Sequence, residues 1–343
     1  MRAPRSTRHA EQSTVTATAV VCLPTSFYAR AGRATFSGEA NSETSNALGE
    51  LMKRCIILVI IGMLAIPARL TAQAGSESFK QGMAALQAND GDAAVKAFEK
   101  AIAASDKTAE YHLGLARALG VVAQKANVLR QPLLARRCKA EFERTVQLDP
   151  SNISAREGML QFYMIAPSVM GGSMEKAHEQ AEAIFKINRL RGHIARGNLA
   201  NREKDLVAVE REFRAAWTAF PDSAPAATSL AGFLANTHRA DEALAVMDKF
   251  VSNQKDNLTG LFWFGRVATS AGKQLDRGEQ ALRRVLASSA IGVDGNPAPV
   301  AVNFRLGELL AKKGDKAGAR QAYEAALRLN PNLEQVKKAL KEL

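Results

Sequence analysis

Cysteine and aromatic residues are scarce in this chain, and each shortage removes a class of fold. Cys22, Cys55 and Cys138 are the only three cysteines, and none of their spacings binds zinc or frames a disulfide-stapled domain. Aromatics are 6% of the residues while hydrophobics are 47%. An Ala/Leu-rich complement of that kind suits helices and argues against a β-rich core. Long hydrophobic runs are missing too: Cys55–Ile66 has 12 apolar residues, too few to cross ~30 Å of hydrocarbon at ~1.5 Å per helical residue.

Signatures of catalysis are equally thin. There is no Gly-x-Ser-x-Gly elbow, and Gly272-Lys273 lacks the earlier glycine of a phosphate-cradling loop. His178-Glu179-Gln180-Ala181-Glu182 opens like a zinc-protease helix, but Glu182 stands where the second histidine must be. His178 and Glu182 one turn apart could share a metal; an exposed polar helix face accounts for them more simply. Nothing in the sequence supports an enzyme, a metal site or a cofactor.

What is present begins with a targeting signal. Met52-Lys53-Arg54, the apolar run and Thr71-Ala72-Gln73-Ala74 follow the order of a positive n-region, a short h-region and an A-x-A cleavage site, which predicts a secretory signal peptide over residues 52–74. Cys55 precedes the apolar run and so cannot be a lipoprotein cysteine. Residues 1–51 are rich in Ser, Thr, Ala and Gly without sustained periodicity; they read as the product of a mis-called start upstream of Met52, or else as a disordered leader. The expected location is periplasmic or secreted, with no stable membrane anchor after cleavage. Removal of residues 1–74 leaves 38 Lys/Arg against 30 Asp/Glu and Cys138 as the single thiol. A basic balance favours polyanions in general. Here the cations alternate with acids, as in Glu203-Lys204-Asp205 and Glu210-Arg211-Glu212, the pattern of a solvated helix surface rather than a nucleic-acid face.

From residue 75 onward the chain repeats itself. Leu306-Gly307, Leu310, Ala319, Tyr323, Ala326 and Pro331 recur in spacing as Gly82, Ala94, Phe98 and Ala101; as Gly197, Phe213, Ala216 and Pro221; and as Leu230-Ala231, Leu234, Ala243, Met247 and Phe250. Phe264-Gly265 to Gly278, Leu282 and Val285 is a weaker copy with one residue inserted. These residues resemble the tetratricopeptide repeat (TPR), a helix–turn–helix unit of about 34 residues. The resemblance covers nearly all of residues 75–343 and implies an all-α, right-handed α-solenoid. The 269 residues from Gly75 correspond to about seven helix pairs.

Two repeats are stretched, at about 109–150 and 151–190. The first carries extra residues over Val122–Arg136, and the second includes Ala166-Pro167-Ser168-Val169-Met170-Gly171-Gly172. Proline and paired glycines there predict a tight turn, with the second helix restarting at Ser173 as N-cap. Leu333, Val336, Leu340 and Leu343 form one apolar stripe at helical spacing, predicting a capping helix over 331–343. Cys138 falls on a small-residue packing position, so a buried, inert thiol is expected.

A narrower resemblance rests on Glu110-Tyr111-His112-Leu113-Gly114, Phe142-Glu143-Arg144, Leu148-Asp149-Pro150 and the Ala166-Pro167…Gly171-Gly172 junction. These look like a group of exported TPR proteins similar to the periplasmic T component of TRAP transporters, which works with a solute-binding protein. That likeness implies an alternative role, a periplasmic transport accessory binding a small solute.

In a TPR array the first helix of each pair faces the concave groove. The groove positions here are Tyr111, Met159, Phe162, Tyr163, Asn198, Asn201, Arg202, Asn236, Phe262 and Arg266. Amides pair with an extended peptide backbone and arginines with carboxylates. The predicted partner-binding set is Tyr111, Phe162, Tyr163, Asn198, Asn201, Arg202, Asn236 and Arg266. Phe162 and Phe262 fit an inter-repeat core equally well, whereas three amides in adjacent repeats are costly to bury unpaired. Arg130, Arg136, Arg137 and Lys139 around Leu133-Leu134 offer a second candidate surface, although arginine stems also serve simply to cover apolar residues. The expected function is an exported adaptor that holds a peptide or protein partner.

Overall fold

The structure is a computed structural model, and it describes residues 73–343 except 294. These lie in one compact unit, Leu64–Leu343. The signal peptide expected at 52–74 and the segment 1–51 fall outside the described residues, apart from Gln73 and Ala74, which are helical.

Fourteen further helices follow that first one, α1, described over 73–87. They pair as α1 with α2 (Gly91–Ala104), α3 (Ala109–Lys125) with α4 (Gln131–Leu148), α5 (Ile153–Ile165) with α6 (Met174–Ile187), and α7 (Arg189–Glu203) with α8 (Leu206–Ala219). Then come α9 (Ala224–Asn236) with α10 (Ala240–Asn253), α11 (Leu258–Ala271) with α12 (Leu275–Leu286), α13 (Pro299–Lys313) with α14 (Lys316–Leu329), and last α15 (Glu334–Lys341). Seven antiparallel pairs and a cap are what the repeat register predicts. There is no strand among the described residues.

Local sequence sets the helix starts. Asp90, Asn152, Ser173, Asn188, Asp205, Asn257 and Asp315 each accept a hydrogen bond from the backbone N–H three residues on, satisfying a donor that the helix itself cannot. Ser173 is the expected N-cap of α6. Before it, Ser168–Met170 makes a 3-10 turn and Gly171 takes φ +94°. The next residue has no room for a side chain, since a Cβ on Gly172 would stand 1.8 Å from the Ala166 carbonyl oxygen.

Pairing depends on a ring meeting a glycine. A Cβ on Gly197 would lie 2.3 Å from the Phe213 ring, and one on Gly307 2.4 Å from Tyr323. Phe98 serves two helices at once, closing on Gly82 of its own repeat and on Gly114 of the next. Where the aromatic is absent the rule persists with other shapes: Leu282 fills the space over Gly265. A small residue at each contact lets the two helices pack closely.

The enlarged repeats interrupt this stacking. The extra residues of the first do not form a separate excursion; they lengthen α3 to 17 and α4 to 18 residues across the short turn 126–130. The hydrophobic core divides accordingly. One cluster unites repeats four to seven, from Ala200 to Val336; a second centres on α5–α7; a third joins α1–α3 with Leu134 and Cys138. At the far end Val336 of α15 is fully buried, with Leu333 and Leu340 packed beside it, so the last repeat is covered as a solenoid requires.

Replacing Gly197 with Ala should set about 1–3 kcal/mol of overpacking strain against an Ala helix-propensity gain of ~1 kcal/mol, and thermal melting should show a net loss. Gly120→Ala is the matched control. Its Cβ would meet nothing within 4 Å, so the same substitution in α3 should raise the melting temperature. Equal effects from the two variants would mean that the ring-on-glycine contact does not govern pairing.

Candidate functional site

Odd-numbered helices crowd one another: α9 packs on α11 and α11 on α13, with lighter contact of α7 on both α5 and α9. The even-numbered helices make no more than marginal contact among themselves. The odd helices therefore lie on the inner side of the curve, and their exposed residues form the groove.

On that side Asn198, Asn201, Arg202 and Asn236 are all exposed. The three amides make no side-chain hydrogen bond among the described residues. Asn201 and Asn236 both sit at the C-terminal ends of their helices, α7 and α9, which are in contact. Arg202 reaches back across the row, donating from Nε to the Met164 carbonyl of α5 at 3.0 Å. Arg266 lies half-buried on α11 with its guanidinium 4.4 Å from the Trp263 ring centroid. Burial, then the nearby Arg305 charge, lowers its pKa. Arg305 is itself paired with Glu308 at 2.6 Å, whereas Arg266 has no carboxylate partner among the described residues. The Glu308 charge acts on Arg266 only at longer range and offsets part of that lowering, which leaves a stacked cation without an ion-pair partner on the groove side. Trp263 was not among the residues singled out from sequence, although its i,i+3 spacing from Arg266 carries the signal.

The aromatic members of the predicted set are placed differently. Tyr163 is buried, 5% exposed, and its hydroxyl donates to Glu143 of α4 at 3.4 Å; it packs between repeats instead of facing a groove. Tyr111 stands at the opposite end of α3, its ring 5.3 Å from Phe79 of α1, again an inter-repeat contact. Phe162 is half-buried and lines another feature, an apolar cleft.

That cleft, about 550 Å³, opens between the C-terminal part of α3, the front of α4 and the end of α5. Phe142, Phe162, Ile165, Pro167 and Met170 form much of its wall, with Gln124, Gln131 and Gln161 among its few polar groups. Val128 and Ile165 on its wall are 78% and 63% exposed. Of the basic residues expected here, Arg137 pairs with Glu99 and Lys139 with Glu143 at 2.9 Å, while Arg130 and Arg136 have no carboxylate partner among the described residues.

The remaining titratable groups are structural ties. His112, buried at 7% exposure, bonds Glu141 through Nδ1 at 2.6 Å and donates from Nε2 to the Asp106 carbonyl at 2.9 Å. His178 pairs with Glu203 and Glu182 with Arg196, so the two residues of the zinc-protease-like start are held by other partners. Hydrogen bonds from Arg239 and Arg214 hold Glu210 below the usual carboxylate range. This joins α8 to α10 and uses the alternating charges noted in sequence.

Two matches to the tetratricopeptide repeat coincide with this architecture. One covers residues 300–333, the span that the Leu306-Gly307 register assigns to the last repeat, and another covers 79–119, from α1 into α3. This is a TPR protein. Its fold is that of a protein–protein interaction scaffold, in which stacked repeats present an extended concave surface. Similar solved structures include a TPR protein from Parabacteroides merdae, with 15% identity, 78% of this chain and 98% of that one covered, and a TM-score of 0.46. A thermophilic TPR protein of Thermus thermophilus has 18% identity, 62% and 100% coverage and a TM-score of 0.42. Yeast Tom70 has 15% identity, 73% and 58% coverage and a TM-score of 0.48. No curated protein matches the chain at a significant level.

The single thiol of the TPR body yields a pH test. Burial, then the Glu141 charge, raises the Cys138 pKa to about 11, and its Sγ donates to the Ala116 carbonyl at 3.1 Å. A thiol pKa raised on folding stabilises the fold below the unfolded value of 9.0 and loses that contribution as pH climbs towards 11. Iodoacetamide at pH 8 should therefore label Cys138, a half-buried residue of the cleft wall, far more slowly in the folded protein than after denaturation, as read by peptide mass mapping. Rapid labelling of the folded protein would contradict this placement.

Proposed function

We propose that this TPR protein is an exported adaptor that captures an extended, carboxylate-bearing peptide segment of a protein partner along its odd-helix groove. The observation that carries the reading is the Trp263-stacked Arg266, without an ion-pair partner among the described residues, on the same side as the exposed amides Asn198, Asn201 and Asn236. A half-desolvated guanidinium gains by pairing with a carboxylate. Free amides supply both donors and acceptors for peptide backbone, and extended recognition of this kind needs no enclosed pocket.

Export is supported by the order of basic, apolar and A-x-A segments over residues 52–74. Gly75, the residue after the expected cleavage site, is buried, and its Cβ position lies 3.1 Å from Ala104 and 3.3 Å from the Tyr111 hydroxyl. Among the described residues no helix is long and apolar enough to cross a membrane.

A photo-crosslinking residue placed at Asn201 or Asn236 should trap a partner from the native cell envelope, whereas one at the exposed Glu324 of α14 should not. Asn201→Ala with Asn236→Ala should reduce the yield of co-purified partner while the melting temperature stays nearly constant. A fall of many degrees would make these residues structural and remove the groove reading. N-terminal sequencing of the native protein should begin near Gly75; a chain that retains Met1 would overturn export.

A further inference from the structure

We propose that the apolar cleft between α4 and α5 binds a neutral amphiphilic small molecule, an elongated apolar body ending in one hydroxyl or amide group. The site is separate from the peptide groove and does not rest on that reading.

Three observations define the ligand. The first is charge. None of the residues lining the cleft is charged. Lys139 stands 5.9 Å from the centroid of the Phe162 ring, but it lies outside the lining and is paired with Glu143 at 2.9 Å. An ion entering the cleft would give up water and meet no countercharge on its walls, a cost that a neutral molecule avoids.

The second is the polar groups that are there. Gln124, Gln131 and Gln161 bring amides to an otherwise apolar wall. Gln131 donates from Nε2 to the Ala126 carbonyl at 3.1 Å and keeps its own carbonyl oxygen. The side chains of Gln124 and Gln161 make no hydrogen bond among the described residues. An amide both donates and accepts, so it can satisfy a hydroxyl or another amide without any charge. A few such groups in an apolar wall enclosing ~300–1,000 Å³ are the usual make-up of a small-molecule site, and this cleft holds about 550 Å³.

The third is shape. Gln131, Ala135, Cys138 and Phe142 follow one another along a single face of α4. At ~1.5 Å per helical residue they make a strip ~16 Å long. The strip is polar at one end: Gln131 and Gln124 flank the turn 126–130, whereas Phe142 closes over Gly158 at the other end. Beside it Gly120 of α3 leaves a gap, because a Cβ there would meet nothing within 4 Å. Glycine inside a helix costs ~1 kcal/mol relative to alanine, and no group of this chain packs into the space it leaves. A guest with its polar group at the turn and its apolar end towards Phe162 and Phe142 fits this layout.

The test uses the full chain and two fluorescent probes with one ring skeleton. N-phenyl-1-naphthylamine is neutral; 1-anilinonaphthalene-8-sulfonate adds a negative charge. The neutral probe should bind saturably and at least ~10-fold more tightly than the sulfonate. 1-Decanol should displace it, with decanoate at least ~10-fold weaker as a competitor. Bound decanol should also slow the labelling of Cys138 by iodoacetamide in the folded protein. Ile165→Asp, which puts a carboxylate on the wall, and Gly120→Leu, which fills the gap, should each weaken the neutral probe by ~10-fold or more. Their melting temperatures should not fall, because Ile165 is exposed and the space at Gly120 is open. Asn201→Ala should leave probe affinity unchanged. The proposal is overturned if the sulfonate and decanoate match their neutral counterparts, which would make the ligand an anion. It is equally overturned if neither cleft variant weakens the probe or if decanol leaves Cys138 labelling unchanged. Loss of binding in Asn201→Ala would move the probe to the groove and overturn it as well.

Discussion

Between the helices of a repeat, a bulky side chain from the second closes on a glycine of the first at a separation that leaves no space for even a methyl group. Phe213 over Gly197, Tyr323 over Gly307 and Phe98 over both Gly82 and Gly114 repeat one constraint along the chain. Because each ring needs its glycine opposite, the register between helices is set locally, without contacts distant in sequence. A solenoid built this way is a chain of nearest-neighbour decisions, and the array carries on through a departure from the pattern such as Leu282 over Gly265.

That modularity also lets the protein accommodate two enlarged repeats. Extra turns on α3 and α4, and the 3-10 turn before α6, disturb only their neighbours. Their cost is continuity: the hydrophobic core is parted into three clusters, and apolar walls that would otherwise be covered line a cleft. The regular repeats provide rigidity from Ala200 onward, while the irregular ones supply the chemically distinctive surface. Function in such arrays is expected where the pattern is broken, since an unbroken repeat is already accounted for by packing.

Charged residues act between repeats as well as on the surface. Arg239 and Arg214 with Glu210 and Glu242 connect α8 to α10, and Lys313 with Asp276 and Glu279 connects α12's start to the end of α13. Exposed pairs of this kind contribute little individually, but they tie one repeat to the next. Arg266 on the groove side differs from them in stacking on Trp263 without an ion-pair partner among the described residues.

The sequence by itself determined the number of helix pairs, the cap at Val336 and the restart at Ser173, because each follows from short-range spacing and side-chain size. It also identified Asn198, Asn201, Arg202, Asn236 and Arg266 as residues of the inner helices. Tertiary structure decided the rest. Spacing assigns a helical face but not what is packed against that face, so Tyr163 and Tyr111, in groove register, turn out to be inter-repeat packing. Likewise the basic stretch around Leu133 reads as one patch in sequence, and only the fold shows which cations are already paired. The cleft itself joins residues from α3, α4, α5 and the following turn. It exists because the lengthened helices hold two inner helices apart, a distance that no local pattern encodes.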